Sequence, residues 1–104
     1  MKRGESLVMN IKREYFREIL AIPRTKTIEY RALSPYWLKR LSNATGRPLR
    51  IRFLNGMTPP VPEATVIVTR AVKDRRRKQL RFHLGKVLAV KHWDRRRGCP
   101  ISRR

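Results

Sequence analysis

The chain has 104 residues and a formal net charge of +20, from 27 lysine and arginine residues against 7 aspartate and glutamate residues. This length predicts one domain with a modest hydrophobic core. So large an excess of positive charge repels itself and indicates a polyanionic partner. RNA or another nucleic acid is the leading candidate, and an anionic membrane surface is the next. Charge alone is also compatible with a role in solubility, and it indicates no sequence specificity.

The composition argues against several classes of protein. Cys99 is the single cysteine, which excludes an intrachain disulfide. His83 and His92 lie in separate segments without the spacing of a zinc site, so we expect neither a metal nor a cofactor. No apolar run approaches about 18 residues, and residues 1–6 lack the apolar region of a signal peptide. We therefore expect no membrane insertion and a cytoplasmic location.

The N-terminal third predicts a strand followed by a short helix. Residues 1–6 are expected to be a flexible lead, and the apolar run that ends at Ile11 has the composition of a strand. Tyr15, Phe16, Ile19 and Leu20 then form one apolar stripe at helical spacing. Pro23 is expected to end this helix at or before the preceding residue.

A charged stretch follows the helix and contains Lys26, Thr27, Glu29 and Arg31. If a strand begins at Thr27, the period of two places Thr27, Glu29 and Arg31 on one face. Ile28 and Tyr30 then point to the opposite face, which we expect to be the core face. Two interpretations remain open, a polar strand face exposed to solvent and a set of side chains that faces a ligand. The pattern alone favours the exposed face, because half-buried strands normally carry their charges outward.

Local signals define most of the later elements. Ser34 before Pro35 is typical of a helix N-terminus. Alternating apolar residues predict a strand over 49–53, and a proline-rich loop leads to a strand over 64–72. A charged turn then precedes a strand that begins at Leu80, and Gly85 is expected to break or bulge it. Residues 94–104 contain five arginines without periodicity and are expected to form a flexible basic tail.

These elements predict an α+β domain over residues 7–93, with five to six short strands in a small barrel or curved sheet and two short helices. The order of elements around Lys26, Glu29 and Arg31 resembles the ASCH domain, a β-barrel family of the PUA-like superfamily. The pattern of that family is Gly-x-Lys-x-x-Glu-x-Arg, and Arg24 stands here in the glycine position. The resemblance implies a PUA-like barrel, a cleft lined by Lys26, Thr27, Glu29 and Arg31, and a role in RNA binding or RNA-linked regulation.

The first functional hypothesis is a non-catalytic module that binds RNA. Electrostatic attraction to phosphates would supply most of the affinity without reading the bases. The candidate phosphate contacts are Arg50, Arg52, Arg75, Arg76, Arg77, Lys78, Arg95, Arg96 and Arg97. Three aromatic residues, Tyr30, Tyr36 and Trp37, are possible base-stacking surfaces, but their predicted positions favour packing in the core.

The alternative hypothesis is a small hydrolase that acts on RNA or on a modified nucleoside. The resemblance to the ASCH family also implies this alternative, because a branch of that family hydrolyses the acetyl amide of N4-acetylcytidine. Lys26 matches the lysine of that branch, whereas Glu29 stands where the branch has a threonine. The candidate catalytic residues are Lys26 and Glu29, with Glu29 as the acid, base or orienting group. The scarcity of carboxylates argues against a metal-dependent mechanism, so any activity would be that of a metal-free amidohydrolase or ribonuclease.

Overall fold

The computed structural model describes residues 6–44, 47–58 and 60–101. Nine elements follow one another along the chain: β1 (Leu7–Asn10), α1 (Arg13–Leu20), β2 (Ile28–Ala32), α2 (Pro35–Asn43), β3 (Arg50–Leu54), β4 (Glu63–Asp74), β5 (Gln79–Lys91), β6 (Trp93–Asp94) and β7 (Cys99–Pro100). The expected flexible lead lies outside the described residues, apart from Ser6.

Five strands form one curled sheet in the order β1-β3-β4-β5-β2, and β6 pairs with β7 in a separate two-stranded sheet. The β1–β3 pair is parallel and the other pairs are antiparallel. The prediction of a small α+β domain with a barrel or curved sheet and two short helices is confirmed, and the sheet is a curled half-barrel. The finer assignment to the PUA-like superfamily stays a prediction.

The core lies between the inner face of the curled sheet and the helices. Phe16, Phe53 and Phe82 have no exposed surface, and they come from α1, β3 and β5. Helix α2 contributes half-buried apolar side chains along one face. Its N-terminus forms as predicted, because the Ser34 hydroxyl accepts a hydrogen bond from the Trp37 amide at 3.3 Å. Neither helix of the described chain is long and apolar enough to span a membrane.

The orientation of β2 is the reverse of the expected one. The periodicity was predicted correctly, but Glu29 is 6% exposed and Tyr30 is 47% exposed. Glu29 pairs with Phe82 in the antiparallel ladder with β5, and Tyr30 pairs with Arg81. Because directly paired residues share a face, the buried Phe82 fixes Glu29 on the core face of the sheet. The expectation that Tyr30 packs in the core was wrong.

The expected flexible tail contains regular structure where the chain is described. The two strands β6 and β7 pair around a turn of residues 95–98, in which Gly98 has a φ of +67°. The Asp94 carboxylate accepts hydrogen bonds from the amides of Arg96 and Arg97, at 3.0 and 3.1 Å. The prediction of an irregular tail was therefore wrong for residues 94–101, which contain this short hairpin. Residues 102–104 lie outside the described residues.

The predicted bulge at Gly85 is confirmed, although β5 does not break there. Val66 pairs with Val87 and Val68 pairs with Leu84, so β5 has one residue more than β4 across Gly85. The pairing of β4 with β5 shifts register at three places between Thr65 and Arg70. A Cβ atom on Gly85 would lie 2.7 Å from the Thr69 Cγ2 atom, so the close approach of β4 requires glycine here. The register of the long hairpin therefore shifts around Gly85 while both strands continue.

Candidate nucleic-acid interface

Glu29 joins the two cations of the charged stretch. Its Oε1 atom lies 3.1 Å from the Lys26 Nζ atom, and its Oε2 atom lies 2.7 Å from the Arg31 Nη2 atom. The three side chains are 8%, 15% and 21% exposed, in the order Glu29, Lys26, Arg31. A carboxylate this deeply buried requires such partners, because an unpaired buried charge is costly. The structure therefore brings the three charged motif residues together on the inner side of β2.

The Lys26 ammonium is held from several directions. It donates a hydrogen bond to the Ile28 carbonyl oxygen at 2.7 Å in addition to its ion pair with Glu29. The rings of Tyr15 and Tyr30 lie 5.1 and 5.7 Å from the same nitrogen, which is within the range of cation–π attraction. These contacts hold the Lys26 Nζ atom in one position between α1 and β2.

Arg31 links β2 to two further elements. Its Nη2 atom donates to the Asn10 carbonyl oxygen of β1 at 3.0 Å, and its guanidinium lies 5.3 Å from the centre of the Trp37 ring of α2. The Nε atom of Arg31 is buried and makes no hydrogen bond among the described residues. The guanidinium therefore lies at the meeting point of β1, β2 and α2.

Arginines also satisfy the C-terminal end of α1. A helix leaves its last carbonyl groups without partners inside the helix, and this end carries partial negative charge. Arg24 donates from Nε to the Ile19 carbonyl oxygen at 3.1 Å, and Arg95 donates from Nε to the Leu20 carbonyl oxygen at 3.2 Å. Arg24 also donates from Nη1 to the Leu84 carbonyl oxygen, at 3.1 Å. The arginine in the motif's glycine position thus ties α1 to β5.

Two adjoining cavities open around this end of α1, with volumes of about 560 and 230 Å³. They share Ala21, Ile22 and Arg95 as lining residues. We call this surface the basic groove, because its lining includes six cationic side chains and, among the described residues, no carboxylate. The six are Arg17, Arg24, Lys86, Arg95, Arg96 and Arg97.

Like charges within the basic groove repel one another. Burial, and after it the nearby charge of Arg95, lowers the pKa of the Arg24 guanidinium below its ordinary value. A bound anion would relieve this repulsion. The groove is also concave, and a concave surface of one charge concentrates the electrostatic potential. Its charge and lining are therefore suited to an anionic ligand.

The structure separates the remaining predicted site residues. Thr27 is exposed and lines the basic groove, whereas Glu29 and Arg31 lie on the inner face of the sheet. Arg50 is half-buried, and its Nε atom has no hydrogen-bond partner among the described residues. Arg52 is engaged in a two-point ion pair with Glu63, at 2.7 and 3.1 Å.

The other predicted phosphate contacts fall into two groups. Arg75, Arg76, Arg77 and Lys78 are exposed in the turn between β4 and β5. The second group lies in the turn between β6 and β7 and lines the basic groove; it comprises Arg95, Arg96 and Arg97. This second group converges with other cations in the basic groove.

Three groove residues were absent from the predicted phosphate contacts. Arg17 lies on the outer face of α1, Arg24 follows Pro23, and Lys86 follows Gly85. Each is separated in sequence from Arg95 and contacts the groove only because α1 packs against β5 and the β6–β7 hairpin. No periodicity or motif in the sequence joins these positions, so only the tertiary structure identifies the groove.

The aromatic residues also differ from their predicted positions. Tyr36 is 60% exposed and packs edge-on against Trp37, with ring centres 5.1 Å apart. Trp37 itself is half-buried against the core, as expected. Tyr15, expected in the apolar stripe of α1, is 39% exposed. Tyrosine rings are therefore available at the surface near Lys26 and on α2.

Compared with protein-family models, with curated proteins and with solved structures, the chain matches none of them. Within the described residues, no group of three or more His, Cys, Asp or Glu side chains is placed to hold a metal ion.

Proposed function

We propose that this protein is a non-catalytic module that binds RNA or another nucleic acid in RNA metabolism or regulation. The basic groove is the observation that carries the proposal, because six cations line one concave surface. Phosphate groups of a nucleic acid are the polyanion that such a surface suits. The net charge of +20 supports the same partner through long-range attraction.

The roles of the residues follow from their exposure and their partners. The backbone amides of Arg96 and Arg97 donate to the Asp94 carboxylate, and the two side chains are exposed to solvent at the groove. They are suited to contact phosphates. Arg24 and Arg95 bind carbonyl groups of the protein and give the groove a fixed positive floor. The resemblance of Lys26, Glu29 and Arg31 to the ASCH pattern agrees with RNA binding.

The test measures RNA affinity by fluorescence anisotropy between about 50 and 200 mM salt. Over this range, added salt steeply lowers the affinity of a protein that makes several phosphate contacts. The double variant Arg96→Gln/Arg97→Gln removes two groove charges. The matched control, Arg75→Gln/Arg76→Gln, removes two charges from the exposed β4–β5 turn. We expect the groove variant to lose more affinity and to show a shallower salt dependence than the control.

Two outcomes would contradict the proposal. If the wild-type protein binds no RNA at low salt, or binds with an affinity that salt does not change, phosphate recognition is wrong. If both double variants lose the same affinity, the total charge of the chain rather than the groove is responsible for binding.

A further inference from the structure

The phenylalanine and tyrosine side chains differ in their exposure to solvent. It contains three phenylalanines and three tyrosines. Each phenylalanine is fully buried, whereas Tyr15, Tyr30 and Tyr36 are 39%, 47% and 60% exposed. Each tyrosine ring also lies within 6 Å of a lysine or arginine charge, as measured to the ring centre. Exposed rings beside cations are the features with which proteins bind single-stranded nucleic acids.

Tyr15 and Tyr30 form the most organised of these sites. They come from α1 and β2, and their ring centres lie 5.1 and 5.7 Å from the single Lys26 Nζ atom. The ammonium is held in place by the Ile28 carbonyl group and by Glu29. Two half-exposed rings are thus arranged around one fixed positive charge. Rings held in this way lose little freedom when a planar ligand stacks on them.

The tyrosine pair is connected to the basic groove through two consecutive residues of the chain, Lys26 and Thr27. Thr27 lines the groove, and it directly follows Lys26 in the chain. A strand whose phosphates contact the groove would therefore bring a nucleotide close to the tyrosines. The base of that nucleotide could stack on a tyrosine ring only if it were not already stacked inside a duplex.

We propose that Tyr15 and Tyr30 form a base-stacking subsite and that the ligand is a single-stranded nucleic acid. This inference rests on the proposed function, because the groove must hold the phosphates. It adds a preference for unpaired strands, with one base stacked beside Lys26. Every base has an aromatic face, so the subsite accepts different bases.

The test uses the full chain and three labelled oligonucleotides of equal charge per strand. The first is a single strand of about ten nucleotides, the length scale of sites on single-strand-binding proteins. The second carries abasic positions on the same backbone, and the third is a duplex of the first. The variant Tyr30→Leu removes the ring, and Tyr30→Phe keeps the ring as the matched control. The variant Tyr15→Leu removes the other ring of the subsite, which lies on α1.

We expect Tyr30→Leu and Tyr15→Leu each to weaken binding of the intact single strand about tenfold, the scale of one stacked base. Tyr30→Phe is expected to bind like the wild type. Binding of the abasic strand and of the duplex should change less than about twofold, because stacking contributes to neither.

The outcomes separate this inference from the proposed function. Equal binding of the intact strand by wild type, Tyr30→Leu and Tyr15→Leu, with normal salt dependence, would overturn the stacking subsite alone. So would an equal loss for intact and abasic strands, because that result would indicate a displaced Lys26 charge. Failure of the wild type to bind any of the three oligonucleotides would overturn the proposed function and this inference together.

Discussion

Arg31 on β2 donates a hydrogen bond from Nη2 to the backbone carbonyl oxygen of Asn10 on β1, over 3.0 Å. These two strands are the opposite edges of the five-stranded sheet. The same Nη2 atom lies 2.7 Å from the Glu29 carboxylate. A single side chain thus connects the two edges of the curled sheet and neutralises a buried acid. Arg31 is therefore expected to stabilise the fold whatever it contributes to binding.

Replacing Arg31 by methionine should destabilise the protein by about 2 kcal/mol. Removing one partner of a buried ion pair costs about 3–5 kcal/mol, and the partial exposure of Arg31 and the remaining Lys26 contact reduce this cost. Urea unfolding measures the change in the free energy of unfolding. The matched control is Arg76→Met in the exposed β4–β5 turn, which should change stability by less than about 0.5 kcal/mol.

The double variant Arg31→Met/Glu29→Gln tests the cause of that loss. We expect it to be more stable than Arg31→Met alone, because no buried carboxylate is then left short of a partner. Equal stability of Arg31→Met and Arg76→Met would show that the network around Glu29 contributes nothing measurable.

The orientation of β2 shows the limit of the sequence pattern. The alternation predicted that Glu29 and Arg31 share a face, and the structure confirms it. Which face is buried depends on the partner strand, and the pairing of Glu29 with Phe82 spans more than fifty residues of chain. A charged residue can occupy a core face when two cations neutralise it. The pairing with β5 has no local signal, although both neutralising cations, Lys26 and Arg31, are close to Glu29 in the sequence.

Local sequence signals predicted the helix boundaries correctly, because these boundaries depend on residues close together in the chain. The Ser34–Pro35 pair begins α2, and α1 ends at Leu20, before Pro23. The β6–β7 hairpin was missed because its strands have only two residues each. Its position depends on contacts far along the chain, such as the hydrogen bond from Arg17 to the Gly98 carbonyl group at 2.9 Å. The basic groove shares this dependence on distant contacts.

Gly85 should tolerate alanine only if its neighbour on β4 is made smaller. The alanine Cβ atom would meet Thr69 Cγ2 at 2.7 Å, and the next nearest atom, the Ile67 oxygen, at 3.5 Å. We expect Gly85→Ala to reduce the free energy of unfolding by about 1–3 kcal/mol, the usual cost of overpacking. Thermal or urea unfolding measures this loss.

The rescue of Gly85→Ala uses Thr69→Ser. Serine lacks the Cγ2 atom and retains the hydroxyl, which in Thr69 donates to the His83 carbonyl oxygen at 3.3 Å. We expect the double variant Gly85→Ala/Thr69→Ser to regain most of the lost stability. If it is no more stable than Gly85→Ala, the contact with Thr69 is not the reason for glycine at this position.

The ion pair between Glu63 and Arg52 should make stability depend on pH in the acid range. The hydrogen bonds from Arg52, assisted by its positive charge, lower the pKa of Glu63 below its ordinary value of 4.5. A carboxyl whose pKa is lower in the folded state stabilises the fold fully above that ordinary value. The stabilisation is lost as the pH falls from there through the lower folded-state pKa.

Glu63→Gln should therefore cost about 1 kcal/mol at neutral pH, since Arg52 is 46% exposed and solvent weakens the pair. The difference between wild type and variant should shrink as the pH is lowered towards 3. Urea unfolding at several pH values measures this difference. A difference that stays constant from pH 7 to 3 would contradict the assigned role of Glu63.

The hydrolase alternative predicts a different behaviour of Lys26 from the binding function proposed here. The Lys26 Nζ atom is engaged by the Ile28 carbonyl oxygen and by the Glu29 carboxylate, so it is held against the protein rather than presented to a substrate. We expect no release of acetate when the protein is incubated with N4-acetylcytidine, and the same result for Lys26→Ala. Lys39→Ala, which alters an exposed lysine of α2, is the matched control. Acetate release by the wild type and by Lys39→Ala, abolished in a folded Lys26→Ala protein, would assign catalysis to Lys26 and reject the purely binding function.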